Sequence, residues 1–175
     1  ATFAEAALSR ADLEGARLEG ASFHDARLEK CLVWKTSAAG AGFRRARLDG
    51  SSFQEADLTR ASFAGATGSR VNFTGAKLDD ADLSDARLTS CHFTHASARR
   101  ALFERSVLDE SRFFKAELGR ASFANARLLG ADLCKARLSD ARFTGANLFD
   151  AKLLDAAGER ADFTRANLAR ARIER

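Results

Sequence analysis

Apolar residues recur at every fifth position along the whole chain. Cut from residue 1, the sequence divides into ATFAE, AALSR, ADLEG, ARLEG, ASFHD and ARLEK, through to ANLAR and ARIER: 35 units with no insertion. The first place is Ala in 28 of them; the others are Cys31, Thr36, Ser51, Val71, Cys91, Ser106 and Ser111. The third place is Leu or Phe in 29, the exceptions being Val33, Ala38, Gly68, Ala98, Gly158 and Ile173. Places two, four and five are mostly polar or charged. An α-helix cannot bury this pattern, because a five-residue step turns the apolar place by about 140° each time and spreads it round the cylinder. A flat strand fails too: places one and three share a face, but the next first place lies three residues on and flips to the other. The chain must bend once every five residues, which predicts a β-solenoid. The third place fills the interior and the small first place packs beside it.

Phe gives the number of sides. At the third place it occurs at 3, 23, 43, 53, 63, 73, 93, 103, 113, 123, 143 and 163, always in odd-numbered units. A three-sided coil would mix odd and even units on every side. A four-sided coil of 20 residues keeps them apart. One side then carries Phe at every coil except Leu83, the opposite side carries four Phe, and the other two are mostly Leu. Like residues stack at a period of 20, as repeat architectures require. Small centres at Ala38, Ala98 and Gly158 share one side, with Gly68 opposite. Each is followed five residues later by a Phe, whose ring is expected to fill the missing volume.

ADLEG, ADLTR, ADLSD, ADLCK, ANLFD and ANLAR carry a clear resemblance to the pentapeptide-repeat family, whose consensus is A(D/N)LXX. The resemblance covers the whole chain. It implies an all-β fold, a right-handed quadrilateral β-helix with four pentapeptides per 20-residue coil. That makes about nine coils here, about 40 Å long. The chain departs from the consensus where Arg replaces Asp or Asn at place two, as in ARLEG, ARLEK and ARLSD. Residues 1–175 read as one domain. With Ala at position 1 and open solenoid ends, they are expected to be excised from a longer chain.

Composition narrows the function. Lys and Arg number 28 against 24 Asp and Glu, a formal net charge of +4. That excludes a disordered polyelectrolyte and a strongly acidic DNA mimic. No apolar run reaches a membrane span and no signal-peptide core is present. Cys31, Cys91 and Cys134 form no CxxC and no disulfide framework. Cys31 and Cys91, three coils apart at about 14 Å, cannot bridge. His24, His92 and His95 do not converge with enough ligands for a metal, and no phosphate loop or nucleophile constellation appears. Neither an enzyme nor a cofactor is expected.

The informative residues lie at the outward places. In the C-terminal half, place four carries Leu129 and Phe149 on one side, and Phe114, Cys134 and Leu154 on the next. These five are expected to meet around one corner as a dimer or partner surface. Trp34, with Leu32, stands in the irregular units near the N-terminus, as a cap or local packing. Arg10, Arg27, Lys30, Arg47, Arg70 and Arg87 fall along one side, against Glu29 and Asp49. They read either as a salt-bridged ladder or as a basic stripe for nucleic acid or another anionic surface. No aromatic platform accompanies them, which argues against single-stranded nucleic acid.

The leading expectation is a non-catalytic rigid scaffold that displays side chains for a protein partner or for a second copy. Some family members of the Qnr and MfpA type look like B-form DNA and bind DNA gyrase or topoisomerase IV. That mimicry rests on a strongly negative surface and a dimer. A pI of about 9.3 and the lack of interrupting loops argue against a gyrase role here. The Ala, Arg and Leu bias suggests a bacterial cytoplasmic protein, or a domain of a secreted effector if the chain is part of a longer one.

Overall fold

Every five residues the backbone turns a corner. The first-place N–H of one unit donates to the third-place carbonyl of the unit before, as from Ala6 to Phe3 (3.1 Å) and from Ala126 to Phe123 (3.0 Å). The computed structural model describes residues 1–173. From Glu5 to Arg170, every fifth-place residue has a positive φ near 60°: eight are Gly and 26 are not. A positive φ at the third of four turn residues marks the type II turn. For a side-chain-bearing residue it costs about 1–2 kcal/mol. The ladder offsets that cost, because the fifth-place N–H also donates to the fourth-place carbonyl one coil on, as from Glu5 to His24 (2.8 Å).

Second-place residues pair in parallel with the residue 20 positions later. Thr2 pairs with Ser22, Ala7 with Arg27, Asp12 with Leu32 and Arg17 with Ser37, and the series continues to Lys152 with Arg172. The coil is therefore 20 residues long and has four sides. Their third places begin at Phe3 (first side), Leu8 (second), Leu13 (third) and Leu18 (fourth). Corners this frequent reduce most pairings to one bridge per side. Among the described residues, only β1 (Thr67–Ser69) and β2 (Arg87–Thr89), both on the second side, form a longer parallel pair. At the end of β2 the corner is opened by a side chain. Ser111 Oγ accepts from the Cys91 N–H (3.0 Å) and donates to the Leu88 carbonyl (3.0 Å).

The interior is two columns of rings. Phe23, Phe43 and Phe63 on the first side stack at centroid distances of 4.9 and 4.7 Å; Phe103 and Phe123 at 4.6 Å. On the third side Phe93 and Phe113 stack at 4.7 Å. These distances match the spacing of hydrogen-bonded strands, about 4.8 Å, so each ring sits on its equivalent in the next coil. The columns meet edge-on, as Phe43 meets Phe53 at 5.4 Å and 85°. Third and first places are buried through the middle of the rod.

At two of the small centres the side chain at the next first place lies close against the glycine: a Cβ placed on Gly68 would lie 2.8 Å from Val71 Cγ2, and one on Gly158 3.2 Å from Ala161 Cβ. An open recess of about 230 Å³ at the last coil is lined by Leu138, Leu153, Ala156, Gly158, Phe163, Leu168 and Ile173. Among the described residues no helix is long and apolar enough to cross a membrane.

Candidate functional site

A rod of this kind meets other molecules through places two, four and five. The consensus Asp or Asn at place two has a local structural task. Its side chain accepts the fourth-place N–H of its own corner, as Asp57 does from Thr59 (3.1 Å), Asn72 from Thr74 (2.9 Å) and Asp132 from Cys134 (3.0 Å). Where place two carries another residue, a fourth-place Asp of the preceding coil can take over. Asp49 accepts from Ser69 N–H (2.9 Å), Asp79 from Arg99 N–H (2.8 Å) and Asp109 from Leu129 N–H (3.2 Å). Arg at place two makes no such cap: Arg127 and Arg137 are held by Asp109 and Glu117 instead, while Arg27, Arg47 and Arg87 make no ion pair among the described residues.

Fifth places make bidentate ion pairs on the corners after the first and fourth sides, and Arg170 lies 4.0 Å from Asp150 on the corner after the second. Arg45 grips Asp25, Arg105 grips Asp85, Arg100 grips Asp80 and Arg160 grips Asp140, each through Nε and one terminal nitrogen. The hydrogen-bonded guanidinium holds each of these carboxyls below its ordinary range. Asp162 on the first side is pulled down to about 2 by the Thr164 hydroxyl and N–H and by Thr144.

The second side behaves differently in its first five coils. Arg10, Arg27, Lys30, Arg47, Arg70 and Arg87 are all exposed. Among the described residues none of the six makes an ion pair. The salt-bridged ladder that the interleaved acids suggest does not form here. Both acids are engaged elsewhere: Glu29 accepts from Ser9 Oγ, and Asp49 accepts from Ser69 N–H and from Ser69 Oγ (3.0 Å). The sequence held a signal for this. Ser stands at the fourth place 20 residues from each acid, in the same column, and a short hydroxyl reaches a stacked carboxylate at little conformational cost.

The five apolar residues of the C-terminal half are each half-buried rather than fully exposed. Leu129 and Phe149 share one column on the second side; Phe114, Cys134 and Leu154 share another on the third. They do not form one continuous corner, because the second-place column of Arg112, Asp132 and Lys152 runs between them. Cations cover two of the rings: Lys115 Nζ lies 5.4 Å from the Phe114 centroid, and the Arg170 guanidinium 5.4 Å from Phe149.

Trp34 lies under Lys35, whose Nζ is 4.7 Å from the ring, and its Nε1 is buried without a hydrogen-bond partner. Beside it Leu32 is 47% exposed. Burial pushes the Cys91 thiol up to about 12, and raises Cys31 and Cys134 as well, so none is an activated thiolate. His24 packs against Gly42, and His95 meets the edge of Phe114 at 6.3 Å.

The chain matches two family models. One, described as a pentapeptide repeat region, covers residues 36–113. The other, pentapeptide repeats in eight copies, covers 1–33, 103–140, 116–154 and 141–175. Comparison with curated proteins finds no match in sequence. Among solved structures, trypsin-treated QnrB1, a plasmid-mediated fluoroquinolone resistance protein, is 14% identical at a TM-score of 0.68, over 93% of this chain and 89% of that one. Full-length QnrB1 is 17% identical at 0.67, over 89% and 87%. HetL, from the cyanobacterium Nostoc sp. strain PCC 7120, is 27% identical over 97% and 88%, at a TM-score of 0.35. The QnrB1 likeness is one of fold, in keeping with the 20-residue coil and its stacked Phe columns. With the pentapeptide-repeat model matching more than half of the chain, the chain belongs to the pentapeptide-repeat family.

Proposed function

We propose that this protein is a non-catalytic interaction module: a rigid rod that presents side chains at fixed spacing to a protein partner or to a second copy of itself. The observation that carries this reading is the continuous ladder. Bridges 20 residues apart run from Thr2 to Arg172, so outward side chains between the two end coils stand on a backbone fixed on both sides. Binding to such a surface orders little that is not already ordered, which lowers its entropic cost. The proposed contact is the paired apolar columns, Leu129 with Phe149 and Phe114 with Cys134 and Leu154. Half-buried rings under mobile cations expose more apolar area once the cations swing aside. The cationic second side runs against a DNA-mimic role toward gyrase.

Light scattering across concentration, on the wild type and on Phe149→Asp, tests the contact. A dimer that the charge splits supports it. A wild type monomeric throughout, together with cross-linked partners that Phe149→Asp leaves unchanged, removes these columns from consideration.

A further inference from the structure

We infer that the first five coils of the second side form a docking strip for the phosphate backbone of double-stranded nucleic acid, bound without reading its sequence. This goes beyond the proposed protein contact and uses different residues. Within residues 6–10, 26–30, 46–50, 66–70 and 86–90 there are six cations and two carboxylates, a net charge of +4 that equals the net charge of the whole chain. Arg27, Arg47 and Arg87 share the second-place column, while Arg10, Lys30 and Arg70 share the corner column, with the fourth-place column of Ser9, Glu29, Asp49, Ser69 and Thr89 between them. Glu29 and Asp49 are satisfied by Ser9 and Ser69 and neutralise none of the six through an ion pair.

Elsewhere on the rod the same columns carry their own counter-charges. Asp25 pairs with Arg45 and Asp85 with Arg105 on the neighbouring corner. Arg127 pairs with Asp109 farther along the second side. Single unpaired cations also stand on the other sides, as at Arg17, Arg112 and Lys152 among the described residues; the strip gathers six of them against two serine-bound carboxylates, which favours an anionic counterpart from outside. Five of its six cations are Arg, whose planar fork suits phosphate oxygens.

The strip spans four coil spacings, about 19 Å, a length over which a duplex presents about eleven phosphates. Each of its coils is tied to the next by 20-residue bridges, which suits a stiff duplex. Its remaining outward residues in places two and four are Ala7, Ser9, Glu29, Asp49, Thr67, Ser69 and Thr89. No large apolar side chain is among them to enter a lipid interface, and no aromatic ring to stack an unpaired base. With no helix or projecting ribbon to enter a groove, contact is confined to the backbone.

Fluorescence anisotropy with a labelled duplex of about 20 base pairs tests the strip. For five or six neutralised phosphates, log K should fall with log salt at a slope of about −4 to −5. The triple variant Arg27→Glu, Arg47→Glu, Arg87→Glu should lose at least about 100-fold in affinity at low salt. A control triple, Arg17→Glu, Arg142→Glu and Lys152→Glu, makes the same change in net charge on the other three sides and should stay within about threefold. Circular dichroism checks folding. If the charge reversals disturb it, Arg27→Gln, Arg47→Gln and Arg87→Gln should each remove about one unit of slope.

A wild type that does not bind duplex at low salt overturns the proposal, as does equal loss in both triples. Tighter strip-dependent binding to phosphatidylserine vesicles or to poly-glutamate overturns the duplex as occupant. Phe149→Asp should bind duplex like the wild type, so failure of this proposal and failure of the apolar contact remain distinguishable.

Discussion

The two halves of the second side share one backbone and differ in almost everything that backbone displays. Both climb by 20-residue bridges, Ala7 to Arg27 below and Arg127 to Asn147 above. Below, six cations stand without ion pairs. Above, Asp109 takes the Arg127 guanidinium and the Leu129 N–H together, with its side chain only 17% exposed, and Leu129 and Phe149 follow in the same column. The interior differs at one corner. Gly68 and Val71 in the lower half occupy the places that Leu128 and Ala131 hold in the upper. The lesson is that the inward places fix the ladder, while the outward places can vary along the same column with little change to the backbone.

The largest effect expected in testing this comparison lies in the shared core. Phe63→Ala and Phe123→Ala should each cost about 3–5 kcal/mol in urea unfolding. The two losses should be similar, because each ring meets three others: Phe63 stacks on Phe43 and meets Phe53 and Phe73 edge-on, and Phe123 stacks on Phe103 and Phe143 and meets Phe113 edge-on. A large loss in one half and none in the other would show that the halves do not share one cooperative core.

A smaller effect tests the one interior exception. Gly68→Ala brings a methyl to 2.8 Å from Val71 Cγ2 and 3.2 Å from the Leu48 backbone. It should cost about 1–3 kcal/mol by overpacking. Gly68→Leu combined with Val71→Ala recreates the Leu and Ala of the upper half and should recover most of that loss. Strict additivity in this double-mutant cycle would rule out the exchange of volume between the two positions.

The smallest effect concerns the surface. Arg127→Ala removes a paired, partly sheltered guanidinium and should cost about 1 kcal/mol or less. Arg47→Ala removes an unpaired one from a like-charged strip and should be neutral or slightly stabilising. Thermal melts at low and high salt read the difference, which should shrink as salt screens the charges. A costly Arg47→Ala would mean that the strip serves the fold and is not held for a ligand.

The fold was legible in the sequence because its signal is local and repeated. Ala or another small residue at place one and Leu or Phe at place three, 35 times in register, leave only a chain that turns every five residues. The parity of Phe set the number of sides, and the ring columns confirm it. The candidate surfaces were legible only as residue sets. Leu129, Phe149, Phe114, Cys134 and Leu154 could be assigned to two sides, but not seen to be half-buried and parted by Arg112, Asp132 and Lys152. That Val71 lies close against Gly68, 2.8 Å from where a Cβ would stand, was not legible, since it depends on how the corner turns the residue three positions on.

By itself, the sequence determined the five-residue turn, the 20-residue coil and the identity of the buried columns. Burying apolar side chains at a fixed period leaves few backbone solutions. Only the tertiary structure decided which surface charges are free. Counting Arg against Asp and Glu along the second side gives interleaved signs in either half. Whether a carboxylate meets a guanidinium, a serine hydroxyl or a backbone N–H depends on which donor the stacking of coils brings within hydrogen-bond reach. For Glu29 and Asp49 those donors come from Ser9 and Ser69, and for Asp109 from Arg127 and Leu129.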